Sequence, residues 1–291
     1  METFVQQVVS GLATGSIYAA LALALVMIYE ATDVVNFAQG EMAMFATYVC
    51  WTLLNAGMPY WAAFFATVAL AFAGGIVIER VVIRPVENAP ILSIVIVTIG
   101  LLVIFNSLAG WIYSYTQKPF PSPFPKEPLR IGDVVLGAHD LGQIAVTLAV
   151  LACIFLFFRF TPLGLAMRAA AQNPVSSRLV GIRVNSMLML GWGLAAAVGS
   201  VAGMMVAPIV YLDPNMMAGV LLYAFAAALI GGIDSPGGAV FGGFLVGVLE
   251  NVLGAYVVGN ELKLVVALVL IVAVLLVKPS GFFGRAQVSR V

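Results

Sequence analysis

Charge is what this sequence has least of. Lys, Arg, Asp and Glu together make up 9% of its 291 residues, where an ordinary globular domain carries about a quarter to cover its surface. The 13 basic residues are balanced by 13 acidic ones, so there is no basic excess to suit nucleic acid. Cysteine is nearly absent. Cys50 and Cys153 both fall in apolar runs, in no spacing that suggests a metal site or a redox pair. His139 is the single histidine, beside Asp140, and reads as structural or solvated. With no histidine cluster, no paired carboxylates on one helix face and no nucleophile constellation, the sequence offers no catalytic centre and no metal ligands. It contains no Gly-Lys pair and therefore no P-loop. Any ATP hydrolysis that serves this chain takes place in another one.

What fills the chain is hydrocarbon. Hydrophobic residues are 63% of it and the mean hydropathy is +1.10. Uncharged runs cover 3–29, 42–78, 88–117, 141–158, 184–212 and 214–233. A helix needs roughly 20 mostly apolar residues to cross the hydrocarbon core. The pattern predicts an all-α polytopic membrane protein with eight to nine transmembrane helices, some of them broken or re-entrant, forming one domain over 1–291. The candidate spans are 4–29, 36–54, 60–79, 90–111, 142–158, 187–211, 216–233, 237–258 and 263–278. Gly57 and Pro59 separate the second from the third. The seventh and ninth are short. No basic stretch precedes the first run and no A-x-A-type site follows it, so it reads as a retained span rather than a signal peptide.

Orientation follows from Lys and Arg in the loops. Arg80 and Arg84, then Arg159, Arg168, Arg178 and Arg183, then Lys278, Arg285 and Arg290 fall on one side if nine spans alternate from an external N-terminus. That side is the cytoplasm, and it includes the C-terminus and the 159–186 connection. Lys118, Lys126, Arg130 and Lys263 fall outside. The external connection 112–141 carries five prolines between 118 and 128, which favours extended backbone. It reads as a covering flap or as a docking surface for a soluble partner.

Four segments stand out. In the 159–186 connection, Thr161 and Pro162 form a cap-and-start pair for a short helix bearing Arg168. Pro174 interrupts it, and a second turn ends before Gly181. This is either a positive anchor on the lipid surface or a coupling helix that fits a groove on a cytoplasmic motor protein. The polar stretch 30–41 holds Asn36, Gln39, Gly40 and Glu41. It is an interfacial loop capped by Glu41, or a broken helix whose end lines a translocation path. The break at 231–243 has six glycines, among them Gly231, Gly232, Gly237 and Gly238, and Asp234 within it caps a helix or faces the cytoplasm. Close helix packing is their expected purpose. Gly11 and Gly15, Gly199 and Gly203, Gly238 and Gly242, and Gly243 and Gly247 all keep the spacing that lets helix backbones touch. Glu250, inside the eighth span and followed by Asn251, pairs structurally with Asn251 or a neighbouring-chain group, or has a gating or subunit-contact role.

The strings GLATGSIYAA at 11–20 and NFAQGEM at 36–42 resemble the N-terminal signature of branched-chain amino-acid ABC permeases of the LivH type. Gly164 to Ala169, Gln172, Asn173, Gly181 and Ile182 resemble that family's coupling segment. GGIDSPGGA at 231–239 and KPSGFFG at 278–284 resemble its glycine-rich motif and its ending. One departure is Gln39, where many relatives carry histidine. The resemblance implies a permease that pairs with a second homologous permease, two cytoplasmic ABC ATPases and a solute-binding protein in the bacterial inner membrane. On it, Gly164, Arg168, Gln172, Asn173, Arg178 and Gly181 couple to the ATPases. ATP is bound by those separate subunits, and this chain holds no cofactor. An importer of urea or short amides, and a stand-alone channel or secondary transporter, are the alternatives.

Overall fold

The computed structural model describes residues 2–125, 127–131 and 134–284. Lys126, Arg285 and Arg290, which entered the charge count, lie outside the described residues. The helices are α1 (Glu2–Thr32), α2 (Gln39–Asn55), α3 (Tyr60–Ile78), α4 (Ile91–Tyr113), α5 (Ala138–Phe160), α6 (Pro162–Gln172), α7 (Pro174–Leu179), α8 (Val184–Val210), α9 (Met216–Gly231), α10 (Pro236–Leu253) and α11 (Lys263–Val277). A π turn at Glu79–Ile83 prolongs α3, and another at Gly254–Val258 prolongs α10.

The all-helical expectation is met, and each of the nine expected spans falls on a helix. Among the described residues, six helices are long and apolar enough to cross a membrane: Phe4–Thr32, Tyr60–Val86, Ile91–Tyr113, Ala138–Phe160, Val184–Val210 and Pro236–Val258. The second, seventh and ninth expected spans are α2, α9 and α11, with 17, 16 and 15 residues. At 1.5 Å per residue they reach roughly 22–26 Å, short of the ~30 Å hydrocarbon core. The sequence reading missed a hairpin in the 112–141 connection, where β1 (Leu129–Ile131) pairs antiparallel with β2 (Val134–Leu136).

Two compact units can be distinguished, one holding the described residues of 1–26, 124–145 and 219–291, the other 27–123 and 146–218. In the second unit α8 packs on both α2 and α3. Its buried face is built from Gly191, Gly193, Ala195, Ala196, Gly199 and Gly203. A Cβ on Gly199 would lie 2.5 Å from Gln39 Nε2, and one on Gly203 would lie 2.7 Å from the Ala43 carbonyl oxygen. One on Gly75 would lie 2.5 Å from the Trp192 carbonyl oxygen. Without a hydrophobic force between helices in lipid, this backbone proximity provides the association.

The second unit also holds a buried ion pair. Arg84 Nη2 donates to Glu79 Oε2 at 2.8 Å and Arg84 Nε to Oε1 at 3.2 Å, a two-pronged contact on a carboxylate that is 2% exposed. Arg84 also reaches the Asn185 carbonyl at 3.4 Å, tying the end of α3 to the start of α8. Removing one partner strands a buried charge, which costs about 3–5 kcal/mol. Arg84→Ala should therefore lower the thermal midpoint of the purified protein far more than Arg80→Ala. Equal midpoints for the two variants would contradict this account of the pair.

Candidate functional site

The 159–186 connection folds into an elbow of two short helices, each started by a capping side chain followed by proline. Thr161 Oγ1 accepts from Gly164 N at 2.9 Å, and Pro162 opens α6. Asn173 Oδ1 accepts from Ser176 N at 2.9 Å, and Pro174 opens α7. These are the two places where a helix needs an acceptor at its end and can dispense with an amide proton. Gly181 closes α7. It sits at φ +87°, while Ile182 N donates to the Ser177 carbonyl at 2.9 Å and Gly181 N to that of Arg178 at 3.1 Å. That paired closure requires a left-handed residue, for which glycine is suited.

One face of the elbow is anchored and the other is free. Gly164, Met167 and Ala170 are buried, and α6 packs on α8. A Cβ on Gly164 would lie 2.7 Å from the Phe158 Cα, so α6 starts in backbone contact with the end of α5. Leu165, Arg168, Gln172, Val175, Arg178 and Leu179 are exposed. The result is a stiff projection with mixed aliphatic and cationic tips.

Within the 30–41 stretch, residues 33–38 interrupt the helices between α1 and α2, with Asp33 at φ +54°. Asn36 Oδ1 accepts from Ala38 N at 3.0 Å, and Asn36 Nδ2 donates to Gln39 Oε1 at 3.1 Å. Gln39 Nε2 donates to the Ala195 carbonyl of α8 at 2.9 Å. The structure thus joins Asn36 and Gln39 in one buried network, with Gly40 and Glu41 in the same turn. Glu41 lies in the first turn of α2, where the helix dipole favours its charge, and its Oε2 is buried with no hydrogen-bond partner among the described residues. A cavity of ≈ 200 Å³ adjoins α2 and α3 beyond this turn, lined by Met42, Phe45, Val49, Leu70, Gly74 and Phe105 among others. Its wall suits hydrocarbon.

Glu250 belongs to the other unit, and the structure gives it partners that the sequence reading did not name. Its Oε2 accepts from Tyr18 Oη at 2.8 Å. Tyr223 stacks on Tyr18 at 4.9 Å. Asn251, the expected partner, turns elsewhere: it donates to Thr14 Oγ1 at 3.2 Å and to the Gly247 carbonyl at 3.0 Å, and accepts from Lys263 at 3.4 Å. An amide at position 250 can still accept from Tyr18, whereas a phenylalanine at 18 leaves the buried oxygen short of a donor, which costs about 1–3 kcal/mol. Tyr18→Phe is expected to lower the thermal midpoint more than Glu250→Gln. The reverse order would assign Glu250 a charge-dependent role.

The glycine break between α9 and α10 is a socket for the chain that follows α11. Phe282 N donates to the Ile230 carbonyl at 2.8 Å and Phe283 N to that of Gly231 at 2.9 Å, so the strap 281–284 satisfies carbonyls at the end of α9. Gly232, at φ +115°, has no room for a side chain, since a Cβ would lie 2.5 Å from Gly284 N. Gly231 and Gly238 touch each other's backbones, while Gly237 faces open space. The cap of α10 is Ser235, whose Oγ accepts from Gly238 N at 3.1 Å, so of the two roles open to Asp234 the cap belongs to its neighbour. Ser235 precedes Pro236 just as Thr161 precedes Pro162, a sequence signal that favoured it over Asp234.

Comparison with known proteins gives this arrangement its family. The profile of the branched-chain amino acid transport system permease component matches residues 7–275. The high-affinity branched-chain amino acid transport system permease protein LivH of Escherichia coli is 32% identical over 99% of this chain and 98% of its own. BraD of Pseudomonas aeruginosa, of the same description, is 33% identical over the same shares. Among solved structures, PsaBC from Streptococcus pneumoniae in complex with Fab aligns over 93% of this chain and 91% of that one, with a TM-score of 0.50 and 15% identity. That likeness concerns the fold alone. By the match along its length, the chain belongs to the permease component family of branched-chain amino acid transport systems.

Proposed function

We propose that this chain is the membrane-spanning permease subunit of a binding-protein-dependent ABC importer for branched-chain amino acids. The observation that carries the reading is the α6–α7 elbow. It is capped at both helix starts, anchored through Gly164 and Met167, and presents Leu165, Arg168, Gln172, Val175 and Arg178 outward. A rigid projection of this kind transmits a push from a partner. A lipid anchor has no need of such stiffness. The partners are two cytoplasmic ABC ATPases, a second homologous permease and an extracytoplasmic solute-binding protein. ATP is bound by the ATPases, and this chain acts as a conduit and not as an enzyme.

The subunit sits in the inner membrane with the elbow and the C-terminus in the cytoplasm. Asn36, Gln39, Gly40, Glu41 and Glu250 are its path candidates. Glu41, buried with one oxygen unpartnered, is the one best suited to exchanging partners during transport. The test is gentle purification of the tagged chain from its native membrane, with identification of what accompanies it. Recovery of P-loop ATPases and a second permease supports the reading. Recovery of a stable oligomer of this chain alone would favour a channel.

A further inference from the structure

At the end of the second unit where α2, α4 and α8 terminate lies a group of side chains that the function above does not use. Lys118 and Leu212 pair through two backbone hydrogen bonds of 2.9 Å, Lys118 N to Leu212 O and Leu212 N to Lys118 O. This brings a base and an acid, Lys118 and Asp213, onto neighbouring positions of two facing segments. Among the described residues neither has an opposite charge within 4.0 Å. The Lys118 ammonium sits 5.2 Å from the centre of the Trp51 ring. Asp213 Oδ1 accepts from Asn215 N at 2.7 Å.

Between the two charges runs a row of aromatic rings. Trp51 meets Tyr113 edge-on at 6.3 Å, and Tyr113 stacks on Tyr48 at 4.4 Å. Tyr48 in turn lies within electrostatic reach of Asp213. Thr52 Oγ1 and Tyr113 Oη share a hydrogen bond of 2.9 Å, which fixes the middle ring. Tyr48 is fully buried, yet its hydroxyl has no hydrogen-bond partner among the described residues. Leaving such a group unmet costs about 1–3 kcal/mol, which a bound polar molecule removes. Ser114 and Tyr211, the residues directly after α4 and α8, are held at φ +68°, ψ +162° and φ +65°, ψ +155°. Few residues other than glycine adopt this conformation, and it accompanies ligand clamps.

A molecule that answers all these features carries a positive group, a negative group and a hydrocarbon side chain. The ends of three helices add partial negative charge here, which favours a cation beside Asp213. We propose that this row receives an amino acid as a zwitterion: Asp213 takes its ammonium group, Lys118 leaves the Trp51 ring to take its carboxylate, and the aliphatic side chain lies on Tyr113 and Trp51. The inference rests on the amino-acid importer reading. In that topology this end of the unit faces outside, where the binding protein hands over its cargo.

The probes are L-leucine, isoamylamine, which lacks the carboxylate, and 4-methylpentanoate, which lacks the amine. Each is titrated into the full-length permease in nanodiscs while tryptophan fluorescence is read, with Trp51→Phe as the control for the reporting ring. Asp213→Asn should weaken leucine and isoamylamine about tenfold, the loss of one charge-assisted hydrogen bond, and leave 4-methylpentanoate unchanged. Lys118→Gln should weaken leucine and 4-methylpentanoate and leave isoamylamine unchanged. The site is overturned if both substitutions shift all three probes alike, if leucine gives no Trp51-dependent signal, or if the variants alter only the affinity for the binding protein. ATP-driven leucine uptake by the complete wild-type importer separates the two ideas. Uptake with an unaltered half-saturation concentration in both variants overturns the site alone, whereas no uptake by the wild type overturns the importer reading and the site together.

Discussion

Gly247→Leu is expected to leave almost no folded permease in the membrane. Gly247 packs against the backbone of Gly11 and Gly15, and a Cβ on Gly15 would lie 2.9 Å from both the Gly243 carbonyl oxygen and the Phe244 Cα. Gly11 and Gly15 of α1 thus meet main chain of α10, while Gly243 itself lies against Ala19. A leucine would have to drive the helices apart, and with them the contacts that depend on the same seam: Asn251 with Thr14, and Tyr18 with Glu250. Overpacking inside a protein ordinarily costs about 1–3 kcal/mol. Here the obstacle is main chain, which cannot rotate away, so the loss should exceed that range. Gly100 supplies the control, because it lies in a helix where an added Cβ would meet nothing within 4 Å. Gly100→Leu should accumulate normally, and size-exclusion profiles of fluorescently tagged variants compare the two directly. A monodisperse Gly247→Leu protein at wild-type yield would contradict the packing account.

Arg168→Glu is expected to abolish productive coupling without removing the protein. Arg168 is exposed on the free face of α6, while the anchoring face is made by Gly164, Met167 and Ala170. Reversing its charge therefore spares the fold and changes what a docked partner meets, where an unpaired or like charge in an interface costs several kcal/mol. Solute uptake by the reconstituted complex should fall at least about tenfold, which a loss of about 1.4 kcal/mol suffices to produce. ATP turnover should stop responding to the loaded binding protein. Wild-type uptake in this variant would place the ATPase contact elsewhere.

These two predictions also mark how far the sequence could be read. Gly11, Gly15, Gly243 and Gly247 announced close packing by spacing alone, because a small residue every fourth position lies on one helix face. Which pair meets which depends on tertiary arrangement, and periodicity does not encode it. The elbow was more legible. Thr161-Pro162 and Asn173-Pro174 are local signals, and local hydrogen bonds answer them. Glu250 marks the opposite case: its partner Tyr18 lies 232 positions away, and nothing near Glu250 in sequence points to it. The strap 281–284 was likewise visible as a motif but not as a cap, since its amides satisfy carbonyls of a helix some fifty residues earlier. Where α2, α4 and α8 end, Lys118 and Asp213 come onto neighbouring positions through a backbone pairing that no sequence pattern announces.

The account's central claim, that this chain forms the conduit of an ATP-driven importer for branched-chain amino acids, is tested most directly by transport. The complex that co-purifies with the chain is reconstituted into liposomes, with the binding protein and labelled leucine on one side of the bilayer and ATP on the side of the ATPases. Accumulation of leucine on the ATP side is then followed. The account predicts uptake that requires both ATP and the binding protein, is competed by isoleucine and valine, and is untouched by urea. Leucine movement that needs neither ATP nor the binding protein, or a preference for urea over leucine, would contradict it.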